Sequence, residues 1–326
     1  SNKKNNKKLK QYLKQFKPDH VYVHNTWFSA SLGLFKILEK EKINTLVKLH
    51  NFRYHCTRSF RSTDHISKGT SCSACGFNTS NHRLFNKYFE ESYIKSFFVN
   101  LYGRRYVKVL KKDSISLLVL TEFHKKFLEK NNYKAEKLHI FPNYINPELN
   151  TKVNRGRYFV YAGRISIEKG VDELISSFLS SNLRNYDLKV IGNGPYLKVL
   201  KEKYTNNNIQ FLGEMENSEV IEIIANSRAV LTATKLFEGQ PTLLCEASNL
   251  GVPSLFPDTG GISEFFPKGY DLTFEQFNYK DLVNKLNKLA NEELLVKRGV
   301  EVKKFIEENF NQEKIVKKMK EILNEK

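Results

Sequence analysis

At 326 residues, 40% apolar and 27% charged, the chain is long enough for two domains with cores of their own and unlike a disordered or low-complexity protein. Its formal charge of +18 is lopsided: residues 1–150 carry 28 Lys and Arg against 11 Asp and Glu, whereas residues 151–326 carry 25 against 24. No apolar run reaches the roughly 20 residues of a membrane-spanning helix, and four cysteines are too few for a disulfide framework at this length.

The amino end is lysine-rich and lacks the apolar stretch of a signal peptide, which predicts a cytosolic protein. A lysine-rich, solvated surface is one reading of the basic first half; the other is attraction to an anionic membrane surface, a lipid-linked diphosphate or an acidic glycan. Short apolar segments then alternate with helical ones, the pattern of parallel sheets with helices on their faces. Predicted strands are 20–24, 45–50, 116–120 and 138–141, followed by 158–162, 188–191, 209–212, 229–232 and 254–256. Polar or glycine residues follow almost all of them, among them His24, Asn51, Gly163, Gly192, Gly213 and Thr234. Ligands of open α/β sheets bind beyond the carboxyl ends of strands, so these residues should border binding sites.

After the second strand come Cys56, Cys72 and Cys75, spaced Cys-x15-Cys-x2-Cys, with His55, His65 and His82 nearby. They supply enough soft ligands for a tetrahedral structural zinc, with His82 as the candidate fourth; free buried cysteines are the other reading, because spacing does not fix that ligand. The next stretch sets Phe85, Tyr88, Phe89, Tyr93, Phe97, Phe98, Tyr102 and Tyr106 among Lys87, Lys95, Arg104, Arg105 and Lys108. Steps of three and four predict a helix with a broad aromatic face, which packs on the first sheet or lies on a membrane surface; different faces can do both. Polar residues at 146–157 mark the change of domain.

In the second half Arg164 and Lys169 flank a strand-to-helix turn in a Gly-Arg-x4-Lys-Gly pattern, where two cations suit a diphosphate. Gly192 and Gly194 form a tight turn and lack the third glycine of the dinucleotide fingerprint, so a nicotinamide cofactor is rejected. The turn at 213–215, ending in Met215, is expected near a base, read by backbone. Pro241 suits the first position of a helix whose apolar residues Leu243, Leu244, Ala247 and Leu250 follow a helical period. That helix leaves backbone N–H groups from Gly239 through Gln240 and Thr242 to Leu243 for a phosphate, with Glu238 ahead of it and Glu246 inside it.

These patterns, with Gly251-Val252-Pro253 and Gly260-Gly261 downstream, resemble the retaining glycosyltransferases of family 4, strongly over 158–266 and loosely before. The resemblance implies a GT-B fold: an α/β architecture of two Rossmann-like parallel-sheet domains facing across a cleft. The first is expected to be incomplete, either by truncation or as a natural short form, because the family's usual opening strand and glycine-rich loop are missing. The implied layout is an acceptor-side domain at 1–148 with an insert at 51–82, a nucleotide-sugar-binding domain at 149–308, and a terminal helix at 309–326 crossing back to the first.

By the same resemblance Arg164 and Lys169 contact the donor phosphates, Glu246 the ribose and Glu238 a hydroxyl of the transferred sugar. Gly163, Gly192, Met215 and the 239–243 turn complete the donor set, and His50, after the strand at 45–49, is the catalytic-cleft histidine, with His24 a positional companion. The implied reaction is retaining transfer from a nucleoside diphosphate sugar by front-face attack, to a glycan or lipid-linked acceptor of surface-polysaccharide biosynthesis. No catalytic metal is expected, since no Asp-x-Asp element is present. The expected place of work is cytoplasmic, peripheral at the inner face of the membrane. Rival readings are a transferase acting directly on a membrane glycerolipid, an inactive sugar-nucleotide-binding protein, and a nucleic-acid-binding protein, for which no module is recognisable.

Overall fold

Alternating apolar segments become alternating strands and helices in the computed structural model, which describes residues 3–24, 32–52, 92–145 and 155–324. Contacts divide them into two units, Ser1–Pro142 with Lys317–Lys326, and Asn143–Val316.

The first unit runs α1 (Lys3–Phe16), β1 (His20–His24), α2 (Gly33–Lys40), β2 (Asn44–Leu49), α3 (Tyr93–Leu110), β3 (Ile115–Val119), α4 (Glu122–Lys130) and β4 (Leu138–Ile140). The four strands form a parallel sheet in chain order. On one face of it Val47, Leu49, Leu117 and Val119 pack against Leu13 of α1, Leu38 of α2, Tyr106 of α3 and Leu128 of α4. Each such fully buried side chain stabilises the fold by roughly 2 kcal/mol. Residues 3–16, read above only for charge, form a helix because Leu9 and Leu13, four apart, give it one apolar line onto this core. The hydroxyls of Ser92 and Thr121 cap α3 and α4, each accepting a backbone N–H three residues on.

The second unit runs β5 (Tyr158–Ala162), α5 (Val171–Leu179), β6 (Asp187–Ile191), α6 (Leu197–Lys203), β7 (Ile209–Gly213), α7 (Asn217–Ala225), β8 (Val230–Leu231), α8 (Thr242–Asn249), β9 (Ser254–Asp258), β10 (Thr273–Glu275), α9 (Tyr279–Lys288), α10 (Glu292–Asn309) and the start of α11 (Gln312–Asn324). Its parallel sheet has the order β10-β9-β8-β5-β6-β7. Helices cover both faces at its centre, which is why β5 and β8 are continuous apolar runs, whereas β6, β7 and β10 towards the edges carry polar residues. Phe159 and Tyr161 join α5 and α9 on one side; Val160, between them, joins α7, α8 and α10 on the other.

Most strand bounds shift by a residue or two from expectation, and three differences matter for the fold. β2 ends at Leu49, so His50 lies just past the strand. β8 shrinks to two residues. β10, unread in the sequence, is a three-residue edge strand too short to carry a period of its own. The expected insert at 51–82 and the boundary at 148 fall almost wholly outside the described residues.

Candidate functional site

In the second unit the chain places β5 first, adds β6 and β7 on one side, then returns to lay β8, β9 and β10 on the other. The order therefore reverses between β5 and β8, and loops leaving those two strands diverge and open a crevice. A pocket of about 230 Å3 lies there. Gly163, Arg164 and Lys169 line it from the β5 side, Thr234, Glu238 and Gln240 from the β8 side, and Pro241, Thr242 and Leu243 from the start of α8.

Helix N–H groups and two cations meet in this pocket beside one carboxylate. Pro241 ends the loop without a side-chain cap, and the first bond inside α8 runs from Cys245 N–H to the Pro241 carbonyl. The N–H groups of Thr242, Leu243 and Leu244 thus have no partner within the helix, and all three residues line the pocket. Arg164 is exposed at the opposite wall. Lys169 Nζ lies 2.5 Å from Glu238 Oε1, which also accepts from Thr234 Oγ1 at 3.2 Å. The lysine expected on the phosphates is therefore already neutralised by the carboxylate expected on the sugar. An entering diphosphate would share the ammonium with Glu238 and fix that carboxylate one step from the phosphates.

Two glycines hold these loops in place. Gly192 has φ +127°, and a Cβ there would sit 2.0 Å from the Gly163 carbonyl oxygen. Its N–H donates to the Gly213 carbonyl at 2.6 Å while Gly163 N–H donates to the Ile191 carbonyl at 3.0 Å. Gly260, at φ +60°, passes so close to Glu238 that a Cβ would be 2.4 Å from its carbonyl oxygen, and Gly261 N–H donates to that oxygen at 2.9 Å. Tyr161, its phenol kept protonated by burial and by the nearby Glu238 and Glu168, donates to the Arg164 carbonyl at 2.9 Å.

Of the expected donor set, Gly192, Met215, Gly239 and Glu246 are not among the pocket-lining residues. Gly192 backs the loop from behind, Met215 packs against the core of the second unit, and Gly239 is buried. Glu246 is half-buried in the second turn of α8, and burial pushes its pKa up. The Gln240 amide is turned to the chain instead: its Oε1 accepts from Asn143 N–H at 2.6 Å and its Nε2 donates to the Asn143 carbonyl at 2.9 Å. Thr234 was visible in the sequence as a polar strand-end residue. Ile262, which also lines the pocket, directly follows Gly260-Gly261 in the downstream stretch that carried the resemblance, but it was not singled out as a site residue.

The first unit has its own cluster at the carboxyl ends of β1 and β2. His24 Nδ1 and His50 Nε2 are 3.1 Å apart, and Tyr22 packs edge-on against His24. Register sets His24 beside Lys48, which is only 2% exposed, its ammonium 4.6 Å from the centre of the Phe141 ring. Burial lowers the Lys48 pKa to about 8. Burial and then the Lys48 charge lower both imidazoles, and His24 depresses His50 further. One neutral ring can then accept from the other. Lys48 was hidden in the sequence inside an apolar strand. Cys56, Cys72, Cys75 and His82 lie outside the described residues, among which no group of three or more His, Cys, Asp or Glu side chains could hold a metal ion.

A family model described as glycosyl transferases group 1 matches residues 145–308, just over half of the chain. The chain is 30% identical over 144 residues to the putative teichuronic acid biosynthesis glycosyltransferase TuaC of Bacillus subtilis (strain 168), covering 42% of this chain and 34% of that protein. It is 25% identical over 211 residues to the capsular polysaccharide biosynthesis glycosyltransferase CapM of Staphylococcus aureus, covering 61% and 54%. It thus spans about a third to a half of the length of these relatives. Among solved structures, sucrose-phosphate synthase from Thermosynechococcus elongatus superposes with a TM-score of 0.73 at 14% identity, over 98% of this chain and 76% of that one. Anabaena HepE in complex with UDP and glucose gives 0.72 at 15% identity, over 97% and 80%. The architecture is of the GT-B type, with parallel sheets in two Rossmann-like sets.

Proposed function

The chain belongs to the group 1 glycosyl transferases, and from that premise we propose that it is a retaining enzyme moving a sugar from a nucleoside diphosphate donor to a glycan or lipid-linked acceptor of a surface polysaccharide. The observation that carries the donor half is the pocket at the strand-order reversal, where Arg164, the Lys169–Glu238 pair and the free N–H groups of α8 converge. The acceptor half is supported by the basic first 150 residues and by what TuaC and CapM are named for. The work is done at the cytoplasmic face of a membrane by a peripherally bound protein.

In the proposed reaction the bond between the anomeric carbon and the donor's phosphate oxygen breaks as the acceptor hydroxyl attacks from the same face. The acceptor's proton passes to the departing phosphate oxygen. Charge grows on that oxygen, so the helix N–H groups, Arg164 and Lys169 accelerate the step by stabilising it. Glu238 orients a sugar hydroxyl and Glu246 holds the ribose; the His24–His50 pair, with at least one neutral ring, accepts or donates to the sugar at the acceptor side. The donor is the small molecule this reaction needs and no metal takes part in it; Cys56, Cys72 and Cys75 either hold a structural zinc with His82 or stay free.

The test is calorimetric titration with UDP first, because HepE was solved with it, then with GDP and ADP, followed by hydrolysis of the matching sugar nucleotide without acceptor. Arg164→Ala combined with Lys169→Ala is expected to weaken binding of the preferred diphosphate by at least about 100-fold, the loss of two charge-assisted contacts. Unchanged uptake by that variant, or no binding of any nucleoside diphosphate by the wild type, would defeat the reading.

A further inference from the structure

Donor chemistry leaves one surface of the first unit unaccounted for. α3 enters the core through Val99, Tyr106 and Leu110, which at 100° per residue fall within about 40° of one another around the helix. On its other side Tyr93, Ile94, Phe97, Phe98 and Leu101 are all exposed, Ile94 to 73% and Phe98 to 62%. These five occupy a single arc of about 140° facing away from the core. Phe97 and Phe98 meet edge to face at 5.7 Å, forming one continuous apolar ridge. Farther along the helix Arg104, Arg105 and Lys108 are exposed on that same arc. The outer face is therefore apolar over its first turns and cationic over the next.

A partner for such a face must be apolar at one depth and anionic roughly 10 to 15 Å farther along the helix axis. A second copy of the chain offers these cations no anion: parallel packing sets them against one another, and antiparallel packing sets them against the rings. A nucleic acid wants rings interleaved with cations in a groove; here they are separated along a convex helix. An anionic bilayer met obliquely satisfies both halves, with rings at the acyl boundary and Arg and Lys at the head-group phosphates. α1 adds to the attraction. It has six lysines and no acid, exposes Tyr12 and Phe16, and packs through Leu13 into the same core as Tyr106. We propose that the outer face of α3 is the surface by which this protein docks on anionic lipid bilayers. The inference rests on the reading of the enzyme as working at a membrane, and it is tested separately from donor binding.

Flotation of the 326-residue chain with vesicles of phosphatidylcholine, alone or with about one third phosphatidylglycerol, measures the docking. The expected partition is at least about tenfold higher onto the anionic vesicles. Phe97→Ser with Phe98→Ser, and separately Arg104→Glu with Arg105→Glu, should each reduce it by at least about tenfold while UDP binding, read by calorimetry, stays unchanged. Flotation that persists in a wild type unable to bind UDP would still support docking and would count against the donor reading alone. The docking proposal is overturned if the wild type does not float, if the Phe97 and Phe98 variant floats equally well, or if sedimentation reveals a dimer that this variant dissolves.

Discussion

Lys48 holds an ammonium nearly out of water, and its pKa falls to about 8 from an ordinary 10.5. The sign of the effect on stability follows directly. Between those two values the unfolded chain binds more protons than the folded one, so stability rises with pH across the window. As pH falls through about 8 that contribution is lost, and at neutral pH the full penalty stands. Lys48→Met is therefore expected to raise the Tm at about pH 7, with the advantage shrinking towards pH 10.5. Removing that charge should also let His24 and His50 protonate at higher pH, visible as imidazole resonances titrating higher than in the wild type. Parallel stability curves for the two proteins would show that the lysine is not paying a desolvation cost. His50 was legible as a strand-end histidine. Lys48 was not, because its neighbours Val47 and Leu49 read as strand core whichever face the intervening lysine occupies.

Among the elements, the loop carrying Glu238 and the turn at Gly260 form a single piece of structure, joined backbone to backbone. Gly260→Ala would add strain at a left-handed φ and push a methyl into the Glu238 carbonyl. It is expected to destabilise the protein by about 1 to 3 kcal/mol and to lower sugar-nucleotide hydrolysis by at least about tenfold. Chemical denaturation and a hydrolysis assay check the two effects; wild-type turnover in a folded variant would break the link to Glu238. The elements around the pocket were the legible ones. β5, the turn at Arg164 and the start of α8 announce themselves through local pattern: an apolar run, a glycine, a proline at the helix entrance. What local pattern cannot carry is tertiary. The two bonds from the Gln240 amide to Asn143 span 97 residues, and Gly192 finds its role only because the Gly163 loop lies against it. The zinc expectation rests on cysteines outside the described residues.

For the molecule as a whole, the apolar clusters respect the division into units. The core around Leu49, Leu117 and Tyr106 draws only on the first unit, and the two flanking the six-stranded sheet draw only on the second. Residues 143–316 are accordingly expected to fold when produced alone and to bind the preferred nucleoside diphosphate within about tenfold of the complete chain. Cooperative melting and calorimetry measure this; an unfolded fragment would mean that stability is shared in ways the separate cores do not reveal. Alternating strands and helices, and two parallel sheets, followed from the apolar pattern in the sequence. The extra edge strand β10 and the helix at 3–16 did not, since one is very short and the other owes its order to a single line of leucines. The close stacking at Gly192 and Gly260 also governs how this molecule can be altered. Where main chain rests on main chain there is no vacancy for variation, so libraries that seek an altered ligand preference should leave both glycines fixed and diversify Thr242 and Leu243, whose side chains are more open than that of the buried Thr234. Under that regime the backbone of the pocket stays constant while the side chains that line it are free to change.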